Sequence, residues 1–116
     1  MIHPEPWTDR WINAWNARDI DFLLSLYADS IEIRAPFAKI YGTGGVIIGK
    51  LALRDYWSEY MRRMPQINLE KVAVYTGHMA LAMHCVDSKG RNGIRTVLFD
   101  DLDKAVFETS CLDRVR

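Results

Sequence analysis

An excess of charge of either sign is missing from this 116-residue chain: 15 Lys and Arg balance 15 Asp and Glu, for a formal net charge of zero. No electrostatic argument for a nucleic-acid partner follows. Cysteine is also scarce. Cys85 and Cys111 lie in strand-like segments without a CxxC pair, so buried free thiols are expected rather than a disulfide or a metal site. His3 and His78 fall in a terminus and a turn with no ligand spacing, and no metal is expected. No apolar run is long enough to cross a bilayer. The opening MIHPEPWTDR has neither the basic start nor the apolar stretch of a secretory signal, so a soluble cytoplasmic protein without a membrane partner is expected. A phosphate-cradling loop is absent too: FAKIYGTGGVIIG, residues 37–49, holds four glycines, but their spacing matches neither GxGxxG nor GxxxxGK[ST]. That segment reads as a loop or small hairpin, and no cofactor is expected.

Rings and aliphatic side chains are plentiful. Hydrophobic residues make up 49% of the chain, with four Trp, five Tyr and four Phe. At this length residues 1–116 form one domain with a ring-rich interior, which composition allows to be either core or the wall of an apolar pocket.

Trp7, Trp11, Ala14 and Trp15 recur at helical spacing after Pro6, Thr8 and Asp9, predicting a first helix from about Thr8 to Arg18. Asp19 caps a second helix, with Ile20, Leu23, Leu24 and Tyr27 as its apolar stripe. Ile31, Ile33 and Ala35 alternate with Glu32 and Arg34, which point outward, in a short strand that Pro36 closes. Leu53, Trp57, Tyr60, Met61 and Met64 mark an amphipathic third helix ended by Pro65. Four strand-like runs follow, at about 66–76, 79–87, 93–101 and 105–113. In the first, the phase of Ile67 and Leu69 conflicts with that of Val72 and Val74, which predicts a bulge near Glu70 and Lys71. MALAMHCV, residues 79–86, is apolar on both faces apart from His84, so helices on one side and a second subunit on the other are expected to cover it. The order of elements gives an α+β domain with helices packed on one concave face of a curved sheet.

That order, with ARDIDFLLSLYADSIEIRAPF, IGKLALRDYWSEY and VLFDDLDKAVFETSCLD, resembles the NTF2-like superfamily, and within it the small SnoaL-like and ketosteroid-isomerase-like proteins, over about Trp11 to Asp113. The resemblance implies a cone-shaped, mixed or antiparallel sheet wrapped around three N-terminal helices, an internal pocket and a homodimer through the outer sheet face. It implies pocket-wall roles for Trp11, Trp15, Ala35, Trp57 and Met61. The isomerase pattern itself fails on this chain. Its general base falls on Ala35, its tyrosine donor on Trp11 and its acid donor on Arg95, so neither the base nor the neutral donors of that route are present.

The SnoaL-like cyclases are similar in placing a histidine and an aspartate inside the cone. His84 is the counterpart of the histidine, and Arg95 and Glu108 are the nearest polar residues of suitable strand parity. A two-residue turn at Lys89-Gly90 sets His84 and Arg95 opposite each other on one face; a three-residue turn separates them. The resemblance then implies a binder of a small hydrophobic molecule, either a cofactor-free isomerase, cyclase or dehydratase using His84, Arg95 and Glu108, or a non-catalytic binding or assembly module.

Overall fold

The computed structural model describes residues 1–39 and 44–113. Among them are three helices, α1 (Pro4–Asn16), α2 (Ile20–Ser25) and α3 (Lys50–Arg63), and six strands, β1 (Tyr27–Arg34), β2 (Val46–Ile48), β3 (Leu69–Gly77), β4 (Ala80–Asp87), β5 (Asn92–Phe99) and β6 (Ala105–Leu112). Helix α1 begins a turn earlier than Thr8 because Pro4 takes the first helical position, where its missing N–H has no partner to lose. It also ends earlier, at Asn16. Arg18 then adopts a left-handed φ of 60°, and its guanidinium bonds the carbonyls of Trp15, Pro65 and Ile67 at 3.0, 2.7 and 2.8 Å. Beside it the Asn16 amide takes both backbone groups of Leu69, at 2.9 and 2.8 Å. These bonds fasten the end of α1 to the entry of β3.

Asp19 caps α2 through the Phe22 N–H, as expected. The helix is shorter than its apolar stripe suggests. Leu26 is its C-cap, and Tyr27 belongs to β1, where it shares the inner face with Ile31 and Ile33. The glycine-bearing segment contributes β2, antiparallel to β1 with Arg34 opposite Val46, so a hairpin forms; residues 40–43 lie outside the described residues. The bulge falls between Lys71 and Ala73, one residue from where the phase conflict put it.

The sheet order is β2-β1-β6-β5-β4-β3, with β1 and β6 parallel and every other neighbouring pair antiparallel. The helices cover one face of this curved mixed sheet. The core between them is built on rings: Trp11 and Trp15 stack with centroids 5.4 Å apart, Trp57 meets Trp15 and Tyr27 edge-on, and Trp7 meets Phe99. Leu81, Met83 and Cys85 of β4 are buried against the helices, whereas Ala82, His84 and Val86 face the other way. No helix lies over that outer face among the described residues. It carries Val46, Ile48, Tyr75, Ile94 and Leu98, all exposed. Both cysteines are free; Cys85 is buried, but Cys111 is exposed on the outer face, opposite Ile94, contrary to the expectation of two buried thiols. No helix of the described residues is long and apolar enough to span a membrane.

Candidate functional site

A cavity opens between the sheet's inner face and the helices. Its apolar wall is Trp15 of α1, Ile33 of β1, Ala35 just after that strand, Phe37, and Tyr56, Trp57 and Tyr60 of α3; its floor includes Cys85, Gly93, Arg95, Glu108 and Ser110. The cavity's free volume is about 60 Å³. Large rings fill much of the cone, and the space left is too small for a polycyclic guest.

Strand pairing brings the charged floor together. Glu108 lies between Ile33 of β1 and Val97 of β5, both inward, so its carboxylate enters the core. Arg95 pairs with Ser110, two residues further along β6, and therefore reaches Glu108 diagonally on the same face. The Arg95 Nε is 3.8 Å from Glu108 Oε2, a loose ion pair beyond hydrogen-bond length. Instead the guanidinium rests on aromatic faces, 4.8 Å from the centre of Trp11 and 5.8 Å from that of Trp15. Its N–H groups make no hydrogen bond among the described residues.

The other Glu108 oxygen is taken. Tyr27 donates to Oε1 at 2.6 Å, and the Trp11 indole donates to the Tyr27 hydroxyl at 2.9 Å. Burial pushes the Glu108 pKa up, and the Arg95 charge and the Tyr27 hydrogen bond offset this only in part. Burial also drives the Tyr27 pKa well above its ordinary value, with the Glu108 charge adding to it. A neutral phenol is thus fixed as donor to a carboxyl group that holds its proton more readily than usual. Burial raises the Cys85 thiol likewise, which makes it a poor nucleophile. Trp15 has an indole N–H that is buried and has no acceptor among the described residues.

His84 is not part of this floor. Met83, not His84, stands opposite Arg95, and His84 stands opposite Ile94 on the outer face. The turn is the reason. Asp87 and Arg91 close a three-residue loop, Ser88 to Gly90, with Gly90 at a φ of 79°. The Asp87 carboxylate accepts from the backbone N–H of Lys89 and of Arg91 and from the Arg91 side chain, at 2.9, 3.0 and 2.8 Å. Burial pushes its pKa up, but these bonds outweigh that and hold it below the ordinary value. On the far side of the sheet the His84 Nε2–H donates to Asn92 Oδ1 at 2.8 Å. Of the two registers the sequence left open, the turn thus selects the one that separates His84 from Arg95, and Glu108 is the polar residue that faces Arg95.

Of the wall residues implied by resemblance, Trp15, Ala35 and Trp57 line the cavity. Trp11 and Met61 do not. Trp11 is wholly buried behind Trp15, where it holds Tyr27 and Arg95, and Met61 is packed in the core. Tyr27 escaped the sequence reading because its spacing from Leu23 and Leu24 also fits a helix; its phase with Ile31 and Ile33 was the available signal. Tyr56, Tyr60, Phe37 and Ser110 were missed with nothing to single them out. Among the described residues no group of His, Cys, Asp and Glu could hold a metal.

Comparison with known proteins follows the same outline. A SnoaL-like protein of unknown function from Burkholderia thailandensis is 31% identical, with a TM-score of 0.88 over 96% of this chain and 95% of that one. Two more distant structures share the fold alone. One is a proposed ketosteroid isomerase from Kribbella flavida (15% identity, TM-score 0.75, 94% of this chain and 76% of that one). The other is a proposed polyketide cyclase from Sinorhizobium meliloti (10% identity, TM-score 0.71, 87% and 89%). A search of curated proteins found no match. The SnoaL-like domain model matches residues 8–101, from the first helix past β5. With a helix-backed curved sheet, an inner cavity and that match over most of its length, the chain belongs to the SnoaL-like family.

Proposed function

We propose that this protein binds a small, mostly apolar molecule in the inner cavity and moves a proton on it without a cofactor, with Glu108 as proton donor or acceptor and Arg95 holding negative charge. One observation carries the reading: a guanidinium with no hydrogen-bond acceptor among the described residues sits on the cavity floor beside a buried carboxyl group with a raised pKa. A carboxyl group whose pKa burial has raised can both give and take a proton, and a fixed cation stabilises an enolate as it forms. The catalytic pair is then Glu108 and Arg95, with Tyr27 positioning Glu108. His84, behind the sheet, has no part in it.

Phenylacetone supplies a one-ring probe with acidic C–H bonds. In D₂O the wild type is expected to speed the exchange of those protons, followed by NMR, and Glu108→Gln to slow it by about 10²- to 10⁴-fold, the usual contribution of a positioned base. Binding without any exchange would overturn the catalytic reading in favour of a non-catalytic module, which the small free volume among the rings supports.

The same proposal includes a homodimer through the outer face. Val46, Ile48, Tyr75, Ile94 and Leu98 expose apolar surface there, and an uncovered sheet of this kind invites association. Light scattering at micromolar concentration is expected to give twice the monomer mass. Ile94→Lys, which puts a charge in the middle of that face, is expected to yield monomer; a wild-type monomer contradicts the dimer.

A further inference from the structure

We infer that the cavity receives a one-ring organic anion together with one proton, the anionic oxygen bound by Arg95 and the proton held by Glu108. This rests on the small-molecule reading above and adds the charge class of the ligand. Arg95 is the source of the selectivity. Its side chain is mostly buried, it is stacked on Trp11 and Trp15, and its planar fork of N–H donors has no hydrogen-bond acceptor among the described residues. A guanidinium in that state suits a carboxylate or phenolate, which takes two parallel hydrogen bonds from it. Trp15 adds a second donor without an acceptor among the described residues on the same wall, and the rings of Trp57 and Tyr60 offer faces for an aromatic guest.

The proton enters because two anions cannot share one buried cation. Glu108 is the carboxylate already facing Arg95, at 3.8 Å through Oε2, while its Oε1 is held by Tyr27. When a second anion docks on Arg95, Glu108 Oε2 takes a proton from solvent, and the floor gains one negative and one positive charge. The groups around Glu108 permit this. Arg95 faces it from β5 and the neutral Tyr27 from β1, Cys85 of β4 lies near Arg95, and α1 and α3 present rings. Farther out on the cavity lining, Asp87 is paired with Arg91, and Asp113 accepts from Asn92.

Calorimetric titration with benzoate and with its neutral counterpart benzyl alcohol, from about pH 5.5 to about pH 8.5, tests the inference. Benzoate is expected to bind wild type at least about tenfold more tightly than benzyl alcohol, with an affinity that falls toward a limit of about tenfold per pH unit as Glu108 ionises. Heats in buffers of different ionisation enthalpy should report uptake of a proton. Glu108→Gln is expected to bind benzoate with no such pH dependence. Arg95→Met is expected to lose the preference for benzoate while still binding benzyl alcohol. Equal binding of the two probes by wild type, or a pH dependence that persists in Glu108→Gln, overturns the inference. In the first of those cases the small-molecule reading survives, whereas failure of both probes to bind sinks the two together.

Discussion

Trp11→Ala is expected to lower the unfolding free energy by about 3 to 5 kcal/mol, the range for removing a large ring from a packed interior. Trp11 has no exposed surface, stacks on Trp15, carries Arg95 on its face and donates to Tyr27. Alanine removes these three contacts together and opens a cavity beneath the charged floor. Trp11→Phe keeps one of the two fused rings in the packing and loses the other with its N–H, so a smaller loss of about 1 to 3 kcal/mol is expected. Urea unfolding of the three proteins, compared at equal m-values, measures both numbers. Similar losses in the two variants would mean that the hydrogen bond to Tyr27, not the packing, is what Trp11 supplies.

The second large effect lies in pH. Glu108 has a raised pKa in the folded protein because it is buried, whereas in the unfolded chain it titrates in the ordinary carboxylate range. Between those two values the folded state holds a proton that the unfolded chain has released, and proton binding then favours folding. The stability contributed by this group is therefore complete below the unfolded pKa and is lost as pH rises through the folded one. Wild type is expected to lose stability over that interval relative to Glu108→Gln, whose amide cannot ionise but whose oxygen can still accept from Tyr27. Melting temperatures of the two proteins against pH should diverge upward from the ordinary carboxylate range and then run parallel. Curves parallel throughout would show that Glu108 ionises as easily inside the protein as outside it.

How much of this could be read from residue order depends on what each feature needs. The helices and strands of this chain follow periodicity, a local property, and even the bulge at Lys71 and Ala73 showed as a conflict of phase between Leu69 and Val74. The boundary at Tyr27 was ambiguous because a residue three or four places beyond Leu23 and Leu24 satisfies a helix, while one in step with Ile31 and Ile33 satisfies a strand; the β1–β6 pairing decided it. The site was less legible for a sharper reason. Whether His84 or Met83 faces Arg95 depends on one residue in a turn, and one residue exchanges the two faces of a strand. DSKGR held the answer, since the Asp87 carboxylate accepts from the N–H groups of Lys89 and Arg91 and Gly90 takes the left-handed position. The strand parity of Glu108 allowed an inward side chain, but its bond to Tyr27 joins residues 81 positions apart. Spacing along the chain carries no trace of such a pair.

The central claim is that the ligand enters between Trp15, Trp57 and the Arg95–Glu108 floor rather than binding at His84 or on the outer sheet. Four tryptophans give four indole N–H signals, and their positions divide cleanly: Trp15 and Trp57 line the cavity, Trp11 lies behind the wall, and Trp7 packs on Phe99 outside the lining. A ¹H–¹⁵N titration with benzyl alcohol, which needs no charge recognition, reads all four at once. The account predicts saturable shifts of the Trp15 and Trp57 indole signals, a smaller one for Trp11 and none for Trp7, unchanged in His84→Ala. Shifts confined to Trp7, or lost in His84→Ala, would contradict it.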